Sequence, residues 1–339
     1  MTTTSNPAQN FIDLFAGLGG FRIGMEANNF NCVLGSDFNK HAAQMYEANY
    51  GENIFSDITE IDITTMPDFD VMCGGFPCQP FSAAGHKKGF EDTRGTVFFD
   101  LCKMIEAKQP TVVFLENVKN LTTHDGGNTF TVIIKSLEDL GYTVSTKVLN
   151  AADFGTPQSR ERIIIIANNK NIEFDFDKIE TKARKPLKDF LDNKPSDQFE
   201  WLDESEYELI DESVRKVSAK TGLRFVGYRK GNIRISGVIA ANMHHSRTHK
   251  QPNRIYSADG SHPTLSSGEK SGRYFILTEK ANGVLGVRKL TIEECYRIFG
   301  YPEDYVRVGA LGEQYARIGN SICVPMVEAV SKQIREQLF

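Results

Sequence analysis

Two hydrophobic rhythms alternate along the first half of the chain. Short apolar runs read as buried strands: Phe11 to Phe15, Asn31 to Asp37, Phe69 to Cys73, Thr111 to Leu115, Thr143 to Leu149 and Arg162 to Ala167. Between them lie stretches whose apolar positions recur every three or four residues: Phe21 to Asn28, His41 to Tyr50, Val97 to Ala107 and Thr129 to Leu140. Continuous apolar strands alternating with amphipathic helices predict an α/β fold, a doubly wound, mainly parallel sheet covered on both faces.

The rhythm changes near Asn168. Residues 170–215 are polar and irregular, and 222–285 carry short β-like pieces, among them Phe225 to Tyr228 and Arg254 to Ser257, with many glycines. These predict a smaller β-rich module. Thr291, with Glu294 three residues on, reads as a capping box opening a helix to Phe299. Asn320 to Leu338 reads as one last amphipathic helix.

Composition adds three constraints. The chain has 339 residues, 40% of them hydrophobic, enough for a full core and a second unit. No apolar run approaches the ~20 residues of a membrane span, and the first residues lack the pattern of a secretory signal. Six cysteines at irregular spacing do not make a disulfide framework, so a reducing cytoplasm is expected. The formal net charge of −5 hides an asymmetry: residues 215–275 hold twelve Lys and Arg against two acids. A basic module on an acidic body suits a polyanion held at one face.

The candidate chemistry gathers at the strand ends. Phe76-Pro77-Cys78-Gln79-Pro80 follows a buried strand, and its prolines deny it a helix. A thiol on such a stiffened loop is placed as a nucleophile; a small buried Cys in a plain turn is the competing reading. Glu116 follows another strand at the same edge, where open α/β sheets hold their sites. Gln158-Ser159-Arg160-Glu161-Arg162 precedes a third, and its arginines suit an anion or an ion pair with Glu161. Ala16-Gly17-Leu18-Gly19-Gly20 joins the first strand to a helix, where glycines admit a ligand close to the backbone. The spacing is not G-x-G-x-x-G, which argues against a nicotinamide dehydrogenase. Asp37, ending the second strand, suits ribose hydroxyls, and Asp57 an adenine amino group. Cys73 reads as core, and no set of Cys and His stands at metal-ligand spacing, so no metal is expected.

Taken in order, these segments resemble the motifs of the DNA cytosine-5 methyltransferases. Phe11 to Gly20 is similar to the first motif, Gly74 to Ser82 to the catalytic loop, Glu116-Asn117-Val118 to ENV, and Gln158 to Arg162 to QxRxR. Arg288 to Pro302 resembles the ninth motif and Gly319-Asn320-Ser321 the tenth. The resemblance covers about 1–168 and 287–339, in the compact bacterial form.

The resemblance implies that a target cytosine is swung out of the duplex. Cys78 would add to C6, Glu116 would hold N3 and the exocyclic amine, and Arg162 would contact O2. Arg160 would steady the thiol and a nearby phosphate. S-adenosyl-L-methionine would be the cofactor, held by Phe15, Gly17, Gly19, Asp37, Phe38, Asp57, Ile58 and Asn320. The domains implied are 1–189 (catalysis and cofactor), 190–287 (target recognition), 288–318 (hinge and ninth-motif helix) and 319–339 (a C-terminal helix returning to the catalytic domain). Within 190–287, Arg254 and Thr264 would grip the DNA backbone, and the loop His244 to Gln251, with His249, Lys250 and Gln251 foremost, would read base edges in the major groove. Duplex DNA would be the partner of a cytoplasmic, bacterial monomer. A cognate restriction endonuclease would share its site without a stable complex. An RNA cytosine-5 methyltransferase and a non-catalytic DNA-binding relative are the rival readings. Intact Cys78, Glu116 and Arg162 weigh against the latter.

Overall fold

Period-two alternation in the first strand decides how the main sheet is covered. In β1 (Gln9–Leu14), Phe11 faces one side, while Ile12 and Leu14 face the other, all fully buried. The computed structural model describes residues 8–77, 97–192, 200–215, 217–230, 251–267 and 274–339. With β2 (Phe30–Ser36), β3 (Val71–Gly74), β4 (Val112–Val118), β5 (Thr143–Asn150) and β7 (Glu161–Asn168), β1 forms a sheet in the order β2-β1-β3-β4-β7-β5. Only β7 runs against the others, antiparallel to both β4 and β5.

One face packs Phe11, Cys73, Phe114 and Ile164 under α1 (Gly20–Glu26) and the last helix. The other packs Leu14, Met72, Val113 and Ile165 under α3 (Val97–Lys108) and α4 (Asn128–Asp139), which contribute Leu101, Ile105, Ile133 and Leu137. α2 (Lys40–Tyr50) flanks the glycine turn, starting at Asn39, whose side chain accepts from the His41 and Ala42 amides. Capping of this kind satisfies amides that the first helical turn leaves unpaired.

Two boundaries differ from the sequence expectation. The strand expected at 111–115 continues to Val118, because Glu116, Asn117 and Val118 pair with Ile164, Ile163 and Arg162 of β7. The helix expected from Asn320 to Leu338 starts later, as α7 (Val324–Leu338), and a helix not expected, α6 (Leu311–Asn320), ends where it was to begin. Pro325, in the first turn of α7, lacks the amide needed to continue a preceding helix. Gly24 lets α7 lie directly on α1; a Cβ there would come within 2.6 Å of Val327.

A second sheet, β13-β12-β10-β9-β8, comprises β8 (Tyr207–Leu209), β9 (Phe225–Arg229), β10 (Arg254–Ser257), β12 (Phe275–Glu279) and β13 (Leu285–Arg288). Its core is Val226, Ile255, Phe275, Leu277 and Val287. Beyond β13 comes α5 (Ile292–Phe299), where the capping box forms with Glu294 fully buried. Glu294 also takes a bidentate pair of 2.8 Å bonds from Arg288 and one of 3.0 Å from the Asp192 amide. One carboxylate thus sets the exit from the second sheet.

The two sheets meet where β6 (Gln158–Ser159) pairs in parallel with β11 (His262–Pro263). Beside this joint Arg160 is 2% exposed, and its guanidinium donates to the carbonyls of Leu265 (3.0 Å), Gly319 (3.2 Å) and Ser321 (2.7 Å). It also lies over the Phe299 ring, 4.9 Å from the centroid. Burial, then the Arg162 charge, pushes Arg160 down to about 9, which still leaves it a cation at neutral pH.

Two predictions follow from this joint. Arg160→Ala leaves three buried carbonyls without a donor and is expected to cost on the order of 3 kcal/mol, read from urea unfolding. His262 is fully buried, with Nδ1 2.6 Å from the Pro263 carbonyl and Nε2 lacking a hydrogen-bond partner, and burial pushes its imidazole down to about 4. The folded form therefore stays neutral while the unfolded chain protonates. The stability this contributes is complete above pH ~6.5 and is lost as pH falls toward ~4. Between pH 7 and 5 the wild type should lose about 2 kcal/mol more than His262→Gln. Parallel pH slopes for the two proteins would remove His262 as the cause.

Candidate functional site

The strand ends on the C-terminal side of β1 to β4 open into a cavity of about 390 Å³. Phe15, Gly17, Asp37, Phe38, Gly75, Phe76, Pro77, Glu116, Arg160, Arg162 and Asn320 all stand in its wall. These residues come from six segments of the chain; the sheet gathers them at one edge.

The wall at the end of β1 is built on a strained turn. Phe15 has φ 56°, a left-handed conformation uncommon for a residue with a side chain, and Gly17 (56°) and Gly19 (74°) follow it there. Asp37 holds this turn in place. Its Oδ2 accepts from the Gly17 amide at 2.8 Å and its Oδ1 from the Asn39 amide at 2.7 Å. Burial raises its pKa, and the two amide bonds and the Arg317 charge oppose that rise. Since a carboxylate has about four acceptor positions, Asp37 keeps capacity for further donors. Phe38, at the cavity rim, leaves 68% of its surface exposed among the described residues. From the far end of the chain Tyr305 donates to the Leu18 carbonyl at 2.8 Å, bracing the same turn.

Three expected cofactor residues lie elsewhere. Gly19 packs beneath the turn, where a Cβ would meet the Tyr50 ring at 2.8 Å. Ile58 is buried in the core with Met66 and Phe69. Asp57 is exposed outside the cavity wall; its Oδ1 accepts from the Thr59 amide (2.9 Å) and hydroxyl (2.8 Å), capping a short turn.

On the opposite wall Glu116 and Arg162 form an ion pair, Nε to Oε1 2.9 Å, with side chains 13% and 11% exposed. The β4–β7 register makes this pair: Arg162 stands opposite Val118, so Glu116 is its diagonal neighbour on the same face. A carboxylate so held presents its second oxygen in a fixed direction. Asn117 does a job not foreseen from its sequence motif. Buried, it donates to the Phe76 carbonyl at 2.8 Å, tying the start of the Phe76-Pro77 loop to β4. Cys78 itself lies outside the described residues. Arg160 lines the cavity, yet its guanidinium is engaged by the three carbonyls described above. The geometry makes it a brace, where the sequence expectation had it steadying the thiol.

The expected DNA-side residues sit on or beside the second sheet. Arg254 opens β10 opposite Tyr228. Thr264 donates to the Ser159 carbonyl at 2.6 Å, within the joint between the two sheets. Gln251 begins a short turn, and His249 and Lys250 lie outside the described residues. Among the described residues there is no cluster of three metal-binding side chains, and no helix is long and apolar enough to cross a membrane.

Comparison with known proteins agrees with this architecture. Residues 9–336 match the family model for C-5 cytosine-specific DNA methylases. The chain is 38% identical over 338 residues to the type II methyltransferase M.HhaI of Haemophilus parahaemolyticus, covering 97% of this chain and 94% of that protein. It is 40% identical to M.NgoBI of Neisseria gonorrhoeae, covering 95% and 91%. Among solved structures it is similar to the Entamoeba histolytica methyltransferase EhMeth, with TM-score 0.68, 16% identity, and coverage of 98% and 100%. The S. pombe Dnmt2 methyltransferase gives TM-score 0.67 at 20% identity, with the same coverage. At these identities the two structures speak for the fold. The chain belongs to the C-5 cytosine-specific DNA methylases and is a DNA (cytosine-5)-methyltransferase.

Proposed function

We propose that the cavity takes S-adenosyl-L-methionine on its Asp37 side and a flipped-out cytosine on its Glu116 side, with Cys78 as nucleophile. The observation that carries this is the Glu116–Arg162 pair, fixed at 2.9 Å in a wall shared with the loop leading to Cys78. The residues fit the cofactor: an acceptor carboxylate for ribose hydroxyls at Asp37, an uncovered ring for adenine at Phe38, and close backbone approach at Gly17. Phe15 and Asn320 complete that side. When bound, the cofactor supplies an electrophilic methyl group.

The remaining chemistry belongs to this chain. The Cys78 thiolate forms a bond to C6, and the displaced electron pair makes C5 a carbon nucleophile. Glu116 holds N3 and the exocyclic amine, and Arg162 faces the O2 on which negative charge grows, a preorganised cation where the transition state needs it. After C5 is methylated a base takes its proton, the C5–H pair re-forms the C5=C6 double bond, and Cys78 leaves as thiolate with the C6–S pair. Arg160 positions these groups by holding β7 against the segment around Asn320.

We assign target recognition to 190–287, with Arg254 holding the backbone and the His244 to Gln251 loop reading bases. The relatives named above are type II methyltransferases. By analogy the chain protects its host's DNA from an endonuclease cutting the same site, acting as a monomer without a stable endonuclease complex.

Expression in a methylation-free host followed by bisulfite sequencing should reveal 5-methylcytosine at one short motif. A duplex carrying 5-fluorocytosine at the mapped position should then yield an SDS-stable protein–DNA band that requires S-adenosylmethionine. Cys78→Ser should give no band and lower methylation more than about a thousandfold. Glu116→Gln should lower it about a hundredfold with cofactor affinity unchanged. Turnover persisting in Cys78→Ser would overturn the covalent route.

A further inference from the structure

Glu161 directly precedes Arg162 in β7, so the alternation of the strand turns it to the face opposite the Glu116–Arg162 pair. There its two oxygens take two lysines from distant parts of the chain. Lys119 Nζ lies 3.0 Å from Oε2, and Lys220 Nζ lies 3.5 Å from Oε1. Lys119 directly follows Val118, which stands in the cavity wall at the end of β4. Lys220 comes from the turn Ser218 to Gly222, before β9. That turn is fastened on both sides: the Lys220 carbonyl accepts from Arg184 at 2.7 Å, and the Gly222 carbonyl from the Ser261 amide at 3.0 Å. Ser261 directly precedes β11, so Lys220 is hung beside the joint between the two sheets.

One carboxylate between two ammonium groups leaves a net positive charge. The bond from Lys119, with the charges of both lysines, holds the Glu161 carboxyl below its ordinary range. The lysine side chains are 41% and 71% exposed, so the two pairs add little to folding stability. A carboxylate and a phosphate offer an ammonium group the same thing, oxygens that carry negative charge and accept N–H bonds. Glu161 therefore marks a point where Lys119 and Lys220 together hold an oxyanion. The point lies outside the cavity, where a nucleotide whose base stands against Glu116 keeps its phosphates. Thr264, bonded to the Ser159 carbonyl, is fastened two residues before Glu161 on the same segment.

We propose that Lys119 and Lys220 bind one phosphate of the duplex beside the flipped nucleotide, and that Glu161 occupies this phosphate site in the free protein. The inference rests on the assignment of the cytosine to the Glu116 wall. DNA displaces the carboxylate and takes both lysines, so a single phosphate ties the end of β4 to the segment before β9. Glu161 is then a competitor that every duplex must displace, whatever its sequence. The competing role is structural: the three charges form a clasp between the two parts of the chain and leave DNA untouched.

The two roles give opposite signs for Glu161→Gln. Fluorescence anisotropy of the full-length protein would follow binding to a duplex with the mapped motif and to one without it, between about 50 and 200 mM salt. Lys119→Gln and Lys220→Gln should each weaken both duplexes by roughly three- to tenfold and flatten the salt slope by about one unit. Glu161→Gln should tighten both duplexes by about threefold or more and keep the salt slope at least as steep as in the wild type. Binding of S-adenosylhomocysteine, with thermal melting, checks that each variant keeps its fold. Weaker DNA binding in Glu161→Gln would overturn the proposal in favour of the clasp. Unchanged binding in that variant, or lysine variants with the wild-type slope, would overturn it as well. Full methylation by Glu116→Gln is the separate result that would sink the assignment of the cytosine to that wall, and the inference with it.

Discussion

The guanidinium of Arg160 sits where three parts of the chain converge, and it is buried with carbonyls as its partners. Its bonds reach Leu265 near the second sheet, and Gly319 and Ser321 between α6 and α7. A buried cation is costly to desolvate, so it persists only where its surroundings are arranged for it. Here the arrangement is the joint itself: β6 pairs with β11, Thr264 bonds back to Ser159, and Phe299 lies under the guanidinium. Loss of any one segment leaves the charge poorly solvated. Placement of the second sheet and of Asn320 at the cavity thus depends on one side chain beside the Glu116–Arg162 pair.

The site is organised by groups that do two things at once. Asp37 offers acceptor positions to a ligand and also pins the left-handed turn at Gly17. Asn117 ends the buried strand and also ties down the approach to Cys78. Glu294 closes a capping box and also pairs with Arg288. Each coupling means that positioning on one side of the cavity is felt on another. Preorganisation of this kind is what an electrostatic contribution to catalysis requires, since donors and charges must already be in place when charge develops.

The glycine turn shows how distant segments support a local strain. Phe15 lies at positive φ, and the residues after it are held at the end of β2, where the Ser36 carbonyl accepts from the Ala16 amide and Asp37 from the Gly17 amide, while Tyr305 reaches the adjoining Leu18 from beyond α5. Such a conformation costs of order 1–3 kcal/mol and needs its surroundings to impose it. The same turn then delivers the chain into α1, whose Gly24 admits α7 at close range. The C-terminus therefore acts as part of the first motif's scaffold.

What the sequence determined was local and chemical. Buried strands and amphipathic helices are written in periodicities of two and 3.6, so the main strands appear within a few residues of where they were expected, and Thr291 with Glu294 forms its capping box. The motif order likewise identified the family without a structure. Pro325 is readable too, and it marks the start of the last helix at Val324 rather than at Asn320. Tertiary structure alone decided which partner each polar group takes. Only the β4–β7 register could extend a strand through Glu116 and set that residue diagonal to Arg162. Only the joint between the sheets could engage the Arg160 guanidinium with three backbone carbonyls and make it a brace. The physical reason is range. Periodicity and capping act over a few residues, whereas the carbonyl partners of the buried Arg160 lie more than a hundred residues away and are fixed by packing.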